Sequence, residues 1–285
     1  ITFGGAIEDD SAGDTALYID AGDADVTFGS TVGVTTAIGA LTVLGNDLDL
    51  SGGNIEATGD VILVANNPGA DAESITFSGR DLDANGGNVF LSADDITFGT
   101  SLLSTGSSGT TTVTIVGDDE ASTITVAGGA GSDANLEISE ADLVTIGSDF
   151  SDVIIGMSSA DGTVGGESQV NQTGTITVNA GDGTLNFSPS NLNLRGVAGT
   201  TTITSAIDTS GASGKTLTVE GTAINLNGDL TTDGGLISFT GPVTVNKGSA
   251  TAVGTGAGGG DVTFGSTLTL SSGGNDDLTI TAGTG

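Results

Sequence analysis

Apolar and polar residues alternate in short runs along almost the whole chain. ALTVL at 40–44, DLDL at 47–50, DVILV at 60–64, TTVTIV at 111–116 and STITV at 122–126 set the pattern. GTITV at 174–178, TTIT at 201–204, KTLTV at 215–219 and GPVTV at 241–245 continue it. A period of two sends alternate side chains to opposite faces of an extended strand, so each run predicts a short strand with one buried face. Gly, Asn and Asp bound the runs, and these residues favour turns. The pattern predicts an all-β chain.

The strands recur inside a phrase. LYIDAGDADVTFG at 17–29 has relatives in VFLSADDITF at 89–98, ITVNAGDGTLNF at 176–187 and LTITAG at 278–283. DVTFGST stands at 25–31 and again, identically, at 261–267, with variants ITFGG at 1–5, ITFSG at 75–79, ITFGT at 96–100 and ISFTG at 237–241. Phe3, Phe28, Phe77, Phe98, Phe239 and Phe264 therefore share one local sequence context. The steps between them are uneven, but several are about 20–25 residues or a multiple of that, the length of one coil of a parallel β-solenoid. Sandwiches and barrels do not require a phrase to recur in this way.

In such a coil short strands wrap a narrow core, and each pairs with its equivalent one coil above, about 4.8 Å away. Leu17 and Ile19 are expected to point inward on one strand, AGDAD to turn the corner, and Val26 and Phe28 to point inward on the next. Glycine supplies the corner conformations with φ > 0. The expected object is one continuous solenoid over 1–285, with roughly 20–25 residues per coil and about 12–14 coils, a rod about 60 Å long at the strand spacing. Read across the ends, LTITAGTG followed by ITFGG copies LYIDAGDADVTFGS with one residue missing. Neither end shows the atypical polar cap of a self-contained solenoid. The expectation is a piece of a tandem array, or a subunit that stacks head to tail on itself. ITFGGAIEDD, with no Met, no basic segment and no apolar stretch, reads as a mature product or a segment of something longer.

Composition narrows the function. Gly is 50 of 285 residues, Trp, Cys and His are absent, and Arg80, Arg195, Lys215 and Lys247 are the only cations against 36 acids, a net charge of −32. A chain so charged is a candidate for disorder, but 36% of its residues are hydrophobic and they alternate regularly. Phosphate backbones and anionic membrane surfaces both need Lys and Arg, so neither is an expected partner. No apolar run approaches the ~20 residues of a membrane helix. Without Cys there is no disulfide, thiolate metal site or Cys nucleophile.

These phrases resemble the repeat regions of large secreted bacterial proteins of the filamentous-haemagglutinin-like, autotransporter type, over nearly the whole chain. The resemblance implies a right-handed parallel β-helix, export to the bacterial cell surface, and a role in adhesion, cell–cell cohesion or matrix. The secretion-signal domain usual in such proteins is absent from these residues.

Three chemistries compete with plain solenoid corners and faces. GGAGSDANL at 128–136 approaches the calcium-binding nonapeptide G-G-x-G-x-D-x-U-x, with its apolar residue one place late and no tandem run beside it. GSDFSDVIIG at 147–156 and GGNDDL at 273–278 look like half-repeats. A single such corner reads best as ion-free. Collectively, Asp residues one coil apart lie about 5 Å from each other, and an oxygen-seeking divalent cation would screen them. Asp118, Asp119, Asp133, Asp149 and Asp152 are accordingly the candidate ligands for a structural Ca²⁺, in a chain that requires no cofactor. Catalysis is not expected: the acid pairs Asp9-Asp10, Asp94-Asp95, Asp118-Asp119 and Asp276-Asp277 are neighbours in sequence, which face opposite ways on a strand, and no His is present. Thr-x-Thr pairs at 123–125, 175–177, 202–204 and 216–218 would order water if stacked into a flat array, although outward Thr is common on any β-solenoid.

The sequence thus points to a non-catalytic, extracellular structural solenoid that forms or extends a bacterial surface or matrix filament. Its partners are itself, stacked or covalently joined, and other fibre subunits. The rival is an adhesin that recognises a host or neighbouring-cell ligand through loops off the solenoid, with 156–173 and 246–261 as the expected excursions.

Overall fold

A computed structural model describes residues 1–11, 13–66, 73–103, 105, 110–128, 135–159, 163–164, 167–168, 171–271 and 276–283. Within them the chain is a β-solenoid of about ten turns, its parallel strands stacked rung on rung around an apolar core. Three walls enclose that core. The first holds Leu17–Asp20, Leu41–Gly45, Val61–Ala65, Val89–Ser92, Thr112–Val116, Asp152–Ile155, the first halves of Asn191–Ile203 and Leu217–Leu226, then Ile237–Thr240 and Val262–Phe264. Its inward column runs Leu17, Leu41, Val61, Val89, Val113, Val153, Leu192, Leu217, Ile237, Val262. From Leu41 to Ile237 every member is fully or almost fully buried, and each such side chain contributes roughly 1.5–3 kcal/mol relative to exposure.

The steps along that column are the coil lengths. Most lie near the expected length, but the steps from Val113 to Val153 and from Val153 to Leu192 are nearly twice as long. These two long coils explain why the first wall has ten rungs, about 45 Å at the strand spacing, and the solenoid about ten turns, not the larger number anticipated.

The second wall accounts for the long coils. From the first rung upward it holds Thr2–Phe3, Val26–Phe28, Leu48–Asp49, Ser74–Thr76 and Asp95–Thr97. Asn135–Ile138 adjoins the last of these. Above it come Thr123–Val126, Ile176–Val178, residues 200–203, residues 223–226, Val243–Val245 and Leu268–Leu270. Two strands are out of chain order: Thr123–Val126 lies above Asn135–Ile138 although it precedes it in sequence. Ala127, with φ of 61°, stands where the chain leaves the earlier strand. A one-turn helix, Glu140–Leu143, closes the detour; Ser139 caps it, accepting from the Asp142 N–H while Asp142 accepts from the Ser139 N–H.

The third wall runs through Ile7, Val32, Ile55–Glu56, Asp81–Asp83, Ser101–Leu103 and Ile146. Thr184–Asn186, Ala206–Asp208, Leu230–Thr231, Thr251–Gly254 and Leu278–Thr281 form a further five-stranded sheet that serves the upper coils.

The detour also changes the corners. Below it the first and second walls are separate sheets; above it Asn191–Ile203 and Leu217–Leu226 run through the corner, with a register shift between Gly196 and Thr200. The next coil turns over this corner at a glycine: at Gly241, with φ of 135°, a Cβ would sit 1.9 Å from the Gly221 carbonyl oxygen.

The shared phrase therefore occupies two environments. Val26–Phe28 belongs to the second wall, whereas the identical Val262–Phe264 belongs to the first. Phe3 stacks on Phe28 at 5.3 Å between ring centroids, and Phe239 on Phe264 at 4.9 Å. The expected single Phe ladder is two short stacks on different walls, because a three-residue strand with apolar ends fits either.

Candidate functional site

Acidic corners stack where the first wall turns into the second. The turn carries Asp47 after Leu41–Gly45, Glu73 before Ser74–Thr76, Asp94 after Val89–Ser92, and Asp118 after Thr112–Val116. Parallel in-register pairing puts equivalent turns above one another, so acids accumulate in a column. At its lower part hydrogen bonds absorb the charge: Ser74 donates to Asp47 through both N–H and Oγ, at 2.9 and 2.8 Å.

Higher up, Glu73, Asp94 and Asp118 converge, each offering a carboxylate oxygen within 4.8 Å of the others. Glu73 is buried at 3% exposure, and the other two are half-buried. Burial comes first among the causes that push the Asp94 carboxyl up to about 7; the hydrogen bond it shares with Asp118 and the charges of Asp118, Glu73 and Asp119 add to it. Asp118 also accepts from Ser122 Oγ at 2.7 Å, and its carbonyl accepts from Asn66 Nδ2 at 3.1 Å. A proton on Asp94 relieves the repulsion. Three convergent carboxylates are also the donor set of a hard divalent ion.

The five Asp candidates do not form one group. Asp118 and Asp119 lie just past the C-terminal end of a first-wall strand, and Asp119 accepts from the Ala121 N–H at 2.7 Å in a local turn. Asp152 lies at the opposite edge of the same wall, level with Thr112. Its carboxylate accepts from Ser151 Oγ at 2.7 Å, Asn191 Nδ2 at 3.1 Å and Asn193 Nδ2 at 3.2 Å. The length of the five-residue strand, about 16 Å, separates the two edges. Asp149 precedes Asp152 on that far side, its carbonyl accepting from Thr111 Oγ1. Asp133 lies outside the described residues. Sequence reading missed Glu73 and Asp94 as members of this group, because their proximity to Asp118 depends on the lengths of the intervening coils.

Like charges stack on other walls too. Burial, then Asp83 and Glu8, raise Glu56 on the third wall, and burial, then Asp142 and Asp95, raise Glu137 on the second. At Asp229 burial opposes ionisation but is outweighed by Lys247, whose Nζ donates at 2.8 Å, and by the Ala252 N–H.

Of the two expected excursions, only 156–173 leaves the coil. It contains Thr163–Val164 paired antiparallel with Glu167–Ser168, the one antiparallel pair among the described residues. Its base is pinned where Ser159 donates to Asn171 Oδ1 and the buried Gln172 donates through Nε2 to the Ser122 and Glu120 carbonyls. Met157 packs on Val64, Phe90 and Val116, with Leu44 and Ile62 beside them. Several of these sit at outward positions of the first wall, so the excursion covers an apolar patch on the outside of the rod. In contrast 246–261 contains Thr251–Gly254, an ordinary rung paired above and below. The Gly-rich composition of that stretch belongs to the turn after the strand.

At the first and last described rungs apolar residues are exposed: Ile1 is 52% exposed, Leu268 39%, Leu270 48% and Ile280 44%. No described helix is long and apolar enough to cross a membrane. No protein-family model, no curated protein and no solved structure matches this chain.

Proposed function

We propose that this chain is a length of non-catalytic structural rod in an extracellular bacterial surface or matrix filament of the filamentous-haemagglutinin-like type. One observation carries the reading: apart from the pair Thr163–Val164 and Glu167–Ser168, every strand pairing among the described residues is a parallel rung of one stack. The end of such a stack offers an unpaired edge, and edges of this kind are templates for strand addition. The next coil comes from the same polypeptide or from a second copy; a heterologous contact of this kind extends without closing. A net charge of −32 keeps rods apart sideways. Electron microscopy of the native material tests this: continuous filaments of uniform width are expected, and isolated short rods with no axial continuity would overturn it.

The 156–173 excursion favours a second reading, an adhesin whose pinned loop meets a ligand on another cell. Deleting 160–170 distinguishes the two. A filament keeps its length, whereas an adhesin loses attachment to its target cells.

A further inference from the structure

The upper half of the second wall lacks charge on its outer face. Its central outward column runs Thr125, Thr177, Thr202, Asn225, Thr244, Thr269, in unbroken parallel register over six strands. The outward positions two residues before and after this column are Thr, Asn, Ser, Ala or Pro on the upper five strands, and none is charged; on the lowest, the Thr123 hydroxyl and Ala127 are buried. The contrast lies within the same molecule. The lower half of this wall carries Asp49, Asp95 and Glu137 outward, the third wall Glu56, Asp81 and Asp83, and the upper coils of the first wall Arg195 and Glu220. In a chain with 36 acids, a face without any is an ordered feature of the fold.

The rungs repeat about every 4.8 Å along the axis, and outward residues about every 6.6 Å across it. The face therefore offers a two-dimensional grid of hydroxyls and methyls. It spans six rungs and about three outward residues, on the order of 400 Å². That is about half of what a partner usually contributes to a stable protein interface, and it has no apolar centre. Without Lys or Arg it offers nothing to phosphates. Without an aromatic ring it offers no platform for sugar rings. An uncharged, regularly spaced lattice of hydrogen-bonding groups remains, and the grid distances are close to oxygen repeats on faces of hexagonal ice. We propose that this wall binds the surface of ice, holding ordered water on its Thr methyls and hydroxyls. The inference stands apart from the filament reading, since a single rod carries the whole face.

The test uses the folded 285-residue chain in a freezing-point osmometer with a microscope. The intact chain is expected to facet ice crystals and to open a gap between melting and growth temperatures. Thr202→Tyr combined with Thr244→Tyr, which raises bulk above the grid, is expected to shrink that gap by an order of magnitude. Thr218→Tyr, on the outward column of the first wall, is expected to leave it unchanged. Circular dichroism melts of all three establish that each is folded; if the double variant does not fold, Thr177→Tyr takes its place. Absence of faceting and of any gap with the intact chain overturns the proposal, as does a double variant that is folded and fully active. Retention on crystalline cellulose, or sideways dimerisation in the ultracentrifuge, that the same variants abolish while ice growth is unaffected assigns the face elsewhere and overturns it equally.

Discussion

Phe239 lies directly below Phe264, ring centroids 4.9 Å apart and planes 11° from parallel, though the two belong to different coils. The stack joins two consecutive coils inside the first wall, and the two rings are not equally enclosed: Phe239 is fully buried, while Phe264 is half-buried on the last rung. Phe239→Ala is expected to destabilise the rod by about 3–5 kcal/mol, through lost transfer energy and the cavity left behind. Phe264→Ala should lose clearly less. Urea unfolding of both variants checks the order; equal losses would show that the last coil is covered in solution.

Gly241 combines a positive φ with a close backbone approach at a corner. With φ at 135° and a Cβ position 1.9 Å from the Gly221 oxygen, Gly241→Ala forces the two coils apart. The expected loss is about 2 kcal/mol or more. Gly181→Ala, with open space around it and no positive φ, should stay within about 0.5 kcal/mol. Thermal melts of the pair separate a steric corner from a general intolerance of side chains.

Asp94 makes stability depend on pH. Its carboxyl is held at about 7 in the fold, above the ordinary value of 3.8 in an unfolded chain. The folded state therefore binds the extra proton between those values, and stability falls as pH rises from about 4 to 7. The midpoint of melting in EDTA should drop across that window, and Asp94→Asn should flatten this part of the profile. Repeating the profile with calcium reports on a cation in the same corner: a bound ion would lift the high-pH arm for the native chain and not for Asp94→Asn.

Gln172 holds the excursion to the rod. Its fully buried amide donates to the Ser122 and Glu120 carbonyls; without it the Glu120 carbonyl keeps the Thr173 and Gly174 N–H groups, and Ser122 loses the shorter of the two bonds. Gln172→Ala is expected to cost about 1–3 kcal/mol locally and to speed protease cleavage within 160–170, while the far-ultraviolet circular dichroism of the rod is unchanged. Equal cleavage rates would mean that Met157, the apolar patch and the Ser159–Asn171 bonds hold the loop without Gln172.

Much of this was legible residue by residue. Alternation in TTVTIV and STITV marked strands whose Val113, Ile115, Ile124 and Val126 are all buried. The alternation reading passed over one signal. DVILV and VFLS are apolar at consecutive positions, which fits burial on both faces; Val64 and Phe90 are covered from outside in the cluster that includes Met157. The candidate cation corner was less legible. Asp118 stood out beside Asp119, but its actual neighbours, Glu73 and Asp94, come from two earlier coils, and no local signal ties the three.

By itself the sequence determined the class of object: period-two strands, glycine corners and a phrase that recurs at several steps of about one coil or a multiple of it leave parallel stacking as the arrangement that buries every apolar face. Tertiary structure alone decided which wall each strand joins, that Thr123–Val126 sits above Asn135–Ile138, and which acids meet. The physical reason is that so short a strand carries too little information to choose its wall. The identical DVTFGST segments lie in different walls because the lengths of the turns before them, and the inserted rung between, set their positions in the stack.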